Sequence, residues 1–100
     1  MDDEYVEAVL TAVEQIPAGQ VASYGDIAEL VGRGGPRQVG QIMSRYGGAV
    51  AWWRVVRADG RPVTGHFEEA MHLLRSEGVA LRGDRVNMVR ARIRPADRKC

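Results

Sequence analysis

Apolar side chains at Val6, Val9, Leu10, Val13 and Ile16 recur at the three-and-four spacing that gathers them on one face of a helix. Asp2, Asp3 and Glu4 stand at its start, where the positive end of a helix dipole favours carboxylates. Pro17-Ala18-Gly19 ends this helix, and Gln20-Val21 reads as a short extended connection. A second helix is predicted from Ser23, because Ser23 and Asp26 have the spacing of a near relative of the capping box. Its apolar face is Ile27, Leu30 and Val31, and Gly32-Arg33-Gly34-Gly35 breaks it. Pro36 suits the first position of a third helix running to about Arg45, with Val39, Ile42 and Met43 inward. Two short helices joined by a glycine-rich turn are the pattern of a helix-turn-helix.

Beyond Gly47-Gly48 the pattern loosens. Residues 49–56 form a short apolar stretch; in a strand, Trp52 and Trp53 would point to opposite faces, so at most one is simple core. Asp59-Gly60 marks a turn. A fourth helix is predicted from about Phe67 to Ser76, with Phe67, Met71 and Leu74 inward and Gly78 closing it. Residues 86–93 read as a terminal strand. The expected fold is mainly α, with one domain over residues 1–94 and a flexible tail over 95–100.

Charge sharpens this picture. Residues 1–30 hold seven acids and no Lys or Arg, so residues 31–100 carry six acids against all fourteen bases, a balance of +8. Thirteen of those bases are arginine, the side chain best matched to phosphates and base edges. A polyanionic partner is expected. The outward face of the third helix agrees: Arg37, Gln38, Gly40, Gln41 and Ser44 supply donors, acceptors and a glycine that permits close approach, with no acid among them.

Catalytic patterns are missing. His66 and His72 have no second cysteine at metal-ligand spacing, and no phosphate-cradling glycine motif is present. The single cysteine, Cys100, lies beside Lys99 at the last position, where no partner base is held for a nucleophile. No apolar run approaches the ~20 residues of a membrane span, and no secretory leader pattern opens the chain. A cytoplasmic place is expected, on the nucleoid if the source is bacterial, with no catalytic residues, cofactor or metal. The Trp52-Trp53 pair is the unusual feature, since an aromatic wall offers an unstacked base a surface to lie on.

Three segments together carry a resemblance. Val21-Ala22-Ser23-Tyr24-Gly25-Asp26-Ile27-Ala28, Arg37-Gln38-Val39-Gly40-Gln41-Ile42-Met43 and Trp52-Trp53-Arg54-Val55-Val56 are similar, in order and spacing, to blocks of the DNA-binding domain of the O6-alkylguanine-DNA alkyltransferases. The resemblance covers residues 4 to about 80. It implies a small winged-helix-like helix-turn-helix domain with a short terminal strand or hairpin. The position of the alkyl-accepting cysteine is Trp52, the replacement that marks the alkyltransferase-like proteins, which bind the lesion and do not repair it.

The resemblance also implies roles. Arg37 is similar to the arginine that enters the duplex in place of the flipped nucleotide, and Tyr24 to the tyrosine that helps rotate the 3′ phosphate. Gly40, Gln41 and Ser44 would lie along the minor groove. Tyr24, Trp52, Trp53 and Arg54 would form the lesion pocket, and Glu77 matches the acid that supports the family's catalytic histidine. Its expected partners are double-stranded DNA containing O6-alkylguanine and nucleotide excision repair proteins, met as a monomer. The departures are Ala51 for a proline, Trp53 for that histidine, a short loop over residues 46–50 and a compressed segment over 61–67. In that segment Arg61 and His66 are the two candidates for a basic pocket residue. Two other readings stand beside this one: a helix-turn-helix transcription regulator, which needs a dimerisation surface, and an alkyltransferase with another nucleophile, for which Cys100 is the sole thiol.

Overall fold

The computed structural model describes residues 3–93. Helix α1 (Asp3–Glu14) buries Tyr5, Val6, Val9, Ala12 and Val13 and keeps Asp3 and Glu4 in its first turn. A two-residue strand β1 (Ala22–Ser23) feeds α2 (Tyr24–Val31). The expected capping box is complete: the Asp26 N–H donates to Ser23 Oγ and the Ser23 N–H to Asp26 Oδ2, both at 3.0 Å. Gly32 ends α2 at φ 90°, a left-handed conformation that glycine adopts without a Cβ penalty. Gly34 is more tightly constrained, because a Cβ there would lie 2.1 Å from the Tyr5 hydroxyl. The turn between α2 and α3 (Pro36–Tyr46) is thereby closed onto α1.

Val39 and Ile42 of α3 enter a core with Val9, Val13, Ile27 and Val55. A second core joins Val21 and Val56 to Met71, Leu74, Val79, Val86 and Ala91. Between the two clusters runs a small parallel pairing: β1 meets β2 (Val55–Val56) with Ala22 opposite Val55 and Ser23 opposite Val56. On the other side of the same connection, Val21 bridges Arg92 in parallel. Helix α4 (Phe67–Ser76) follows, then a hairpin of β3 (Leu81–Arg82) and β4 (Arg85–Val86) turning at Gly83, and a one-turn helix α5 (Met88–Ala91).

Three expectations are corrected. The two tryptophans lie in a 3₁₀ turn, Trp52–Arg54, and only Val55–Val56 is strand. The stretch read as a terminal strand is β4, then α5, whose start is fixed when the Ala91 N–H returns to the Asn87 carbonyl at 2.9 Å. Phe67 is 44% exposed, since the first turn of α4 sits at the domain edge while Met71 and Leu74 reach the core. The tail over 95–100 lies outside the described residues.

Candidate nucleic-acid interface

Helix α3 carries no acid, and its outward face is polar because Val39 and Ile42 take up the inward one. Arg37, Gln41, Ser44 and Arg45 are exposed and, with Gly40, line a shallow groove. A Cβ at Gly40 would meet nothing within 4 Å, so the groove floor is open there. Arg37 has no hydrogen bond or ion pair among the described residues, which leaves its full fork of donors for a partner. Gln38 is different: its Oε1 accepts from the Gly35 N–H at 3.0 Å and caps α3.

On the other flank of α3 lies a cleft of about 380 Å³, within the size range of small-ligand sites. Gly40 and Ser44 belong to both cleft and groove. Tyr24 forms one wall from the first turn of α2, and Trp52 forms another from the 3₁₀ turn. Thr64, His66 and Glu69 line the far side. Burial pushes the Tyr24 phenol above its ordinary pKa, outweighing the pull of the nearby Arg57 charge. The hydroxyl is therefore a neutral donor at physiological pH. The Trp52 ring stands 5.7 Å from the His66 ring, tilted by 60°. His66 Nδ1 is 4.0 Å from the Glu69 carboxylate, with both side chains largely exposed at the rim.

Trp53 and Arg54 face elsewhere. The Trp53 ring meets Trp52 edge-on, with centroids 5.8 Å apart, and packs against the second core. Its buried indole nitrogen has no hydrogen bond of good geometry, although the indole dipole faces Glu77 and helps keep that acid ionised. Arg54 makes a bidentate pair with Glu77, Nε to Oε1 at 3.0 Å and Nη2 to Oε2 at 2.6 Å, and donates from Nη1 to the Ile16 carbonyl at 2.8 Å. The Arg54 hydrogen bonds hold the Glu77 carboxyl below its usual range against burial. Arg54 thus ties the end of α1 to the end of α4 and does not line the cleft. Of the two basic candidates, His66 lines the cleft, whereas Arg61 pairs with Asp59 at the turn, 3.6 Å away.

Met43, Gly47, Val63, Thr64 and Glu69 also line the cleft. Met43 was visible in the sequence as an inward residue of α3, and Glu69 lies on the predicted fourth helix; the others sit on irregular segments with no periodicity to reveal them. Among the described residues no group of three or more His, Cys, Asp or Glu could hold a metal ion, and no helix is long and apolar enough to cross a membrane.

Residues 4–79 match the DNA-binding domain of the 6-O-methylguanine DNA methyltransferase family. The chain belongs to this family. A DNA base-flipping protein of Escherichia coli is 36% identical over 87 residues, covering 82% of this chain and 67% of that protein. A DNA base-flipping protein of Vibrio parahaemolyticus is 32% identical over 62 residues, and the match spans 62% of its length. Alkyltransferase-like protein 1 of Schizosaccharomyces pombe is 36% identical over 86 residues, 79% of this chain and 80% of the relative. The S. pombe Atl1 structure in complex with damaged DNA containing O6-carboxymethylguanine superposes with a TM-score of 0.81 at 30% identity, covering 95% of this chain and 99% of that one. The O6-methylguanine methyltransferase of Mycobacterium tuberculosis gives 0.66 at 28% identity over 78% of this chain and 50% of that chain. Within the family, the fold expected from the three sequence blocks is the fold found.

Proposed function

We propose that this protein is a non-enzymatic sensor of O6-alkylguanine in duplex DNA. It docks α3 in the minor groove, extrudes the modified nucleotide into the cleft and holds it against Trp52. The carrying observation is the cleft itself: an aromatic wall at Trp52 and a neutral phenol at Tyr24 open beside the exposed, acid-free face of α3. Names and bound DNA among the relatives support the reading.

Extruding a base costs a few kcal/mol, least for a poorly paired one, and stacking on an aromatic returns about 1–3 kcal/mol. Terms so close in size let weak pairing decide which base stays out. Arg37, free of partners at the N-terminus of α3, is placed to fill the vacated stack. No alkyl transfer follows, because the lining of the cleft contains no thiol. The bound monomer marks the lesion for nucleotide excision repair proteins.

The test compares matched duplexes holding guanine or O6-methylguanine. Tighter binding of the lesion duplex, with no gain of a methyl group in protein mass, is expected. Equal affinity for the two duplexes overturns the sensor and favours a regulator.

A further inference from the structure

The family match ends at residue 79, yet the chain beyond it returns to the foundation of the cleft. The Val21 N–H donates to the Ala91 carbonyl at 2.9 Å, and the Ile93 N–H donates to the Val21 carbonyl at 2.8 Å. Residues 91–93 therefore lie beside the connection into β1 on one edge, while β2 pairs with β1 on the other. Tyr24 leaves the end of β1, and Trp52 stands just before β2. The two aromatic walls are thus set by one small parallel assembly, and the returning segment closes its open edge.

Arg92 adds a side-chain lock. Its Nε donates to Asp26 Oδ2 at 2.8 Å and its Nη2 to Asp26 Oδ1 at 2.6 Å. Asp26 is 2% exposed and is the same carboxylate that accepts from the Ser23 N–H in the capping box. Tyr24 lies between the two members of that box. A buried carboxylate without its cation must protonate or move, and either change loosens its hold on Ser23. Burial alone would raise the Asp26 pKa; the hydrogen bonds from Arg92 and Ser23 outweigh it and keep the acid below its ordinary value.

We propose that Arg92 is a positioning residue: through Asp26 it holds the first turn of α2 so that Tyr24 faces the cleft, making residues 91–93 part of the lesion-reading apparatus. This rests on the proposed sensor function, and the experiment separates the two. Wild type, Arg92→Ala and Arg92→Lys are titrated against guanine and O6-methylguanine duplexes, with the folded fraction fixed by circular dichroism. A 2-aminopurine target reports extrusion by its brightening.

A wild type that does not discriminate ends the sensor reading whatever Arg92 does. With a discriminating wild type, Arg92→Ala should lose about ten-fold in lesion affinity, dim the 2-aminopurine signal and change undamaged binding by less than about two-fold, a coupling of ordinary size. Arg92→Lys keeps the charge without the fork, and a loss of about three-fold is expected. Where Arg92→Ala does not fold, the lysine variant decides. Unchanged selectivity in a folded variant overturns the proposal, leaving Arg92 a stabilising residue only. An equal loss on both duplexes with a shallower salt slope also overturns it, because Arg92 is then a phosphate contact.

Discussion

The exposed face of α3 and the turn Trp52–Arg54 each present an arginine, and they use it in opposite ways. Arg37 holds no partner among the described residues, whereas Arg54 directs its donors to Glu77 and the Ile16 carbonyl. The neighbouring side chains follow suit. Gln41 and Ser44 remain exposed on α3, while Trp53 is half-buried against the second core. The face proposed to meet DNA keeps its donors unsatisfied by the protein, and the turn that carries Trp52 satisfies them. Arginine alone therefore does not distinguish a free donor from a structural clamp; its partners do.

The sharpest way to break this contrast is Arg54→Ala. It leaves the Glu77 carboxylate, 14% exposed, without its fork and the Ile16 carbonyl without its donor. A loss of about 2 kcal/mol, roughly 10 °C in Tm, is expected by thermal denaturation, with the folded fraction still preferring lesion DNA. Arg37→Ala should do the reverse: Tm should hold, lesion affinity should drop about ten-fold in gel shifts, and the salt slope should shrink by about one. If Arg37→Ala destabilises the fold and Arg54→Ala spares it, the contrast is wrong.

A third effect is confined to acid. The Asp26 carboxyl lies below its ordinary pKa in the folded protein, net of burial that opposes the Arg92 and Ser23 hydrogen bonds, and its stabilisation is complete where the unfolded carboxyl, at about 3.9, is ionised. That contribution disappears as pH falls through the depressed folded value. Denaturant midpoints should then decline below about pH 4, and less steeply in Asp26→Asn. The smallest expected effect is close to nil. Trp52→Cys should show little or no methyl transfer by mass spectrometry. A thiol with a pKa of about 8.5 needs a base within hydrogen-bond reach, and Trp53 has no basic nitrogen. The largely exposed His66 ring, 5.7 Å from the Trp52 ring, is left farther still from the shorter cysteine side chain. Glu77, held by Arg54, does not supply a base.

Local order made the helices readable. The capping box of Ser23 and Asp26 and the start of α3 at Pro36 each depend on residues within one turn, so spacing revealed them. The site was half legible: Tyr24, Gly40, Ser44 and Trp52 line the cleft, while Gln38 caps a helix and Arg54 clamps a turn. What escaped depends on partners distant in sequence. Arg54 meets a glutamate 23 residues on, and Asp26 meets an arginine 66 residues on. Neither contact leaves a periodic trace. The Trp52–Arg54 turn was obscured because a continuous apolar run does not distinguish strand from tight helix.

The parallel pairing that sets the cleft walls also orders events in time. Helices α1 to α4 draw their backbone bonds from residues four apart, and such contacts form quickly. The pairing of β1 with β2 and the bridge from Val21 to Arg92 require distant chain segments to meet first, which carries the entropy of closing long loops. A chain still emerging from the ribosome thus has α3 before it has a fixed cleft. If the proposed sensor is right, an early intermediate binds DNA through charge alone, and discrimination arrives only with the last strand-like segment to dock.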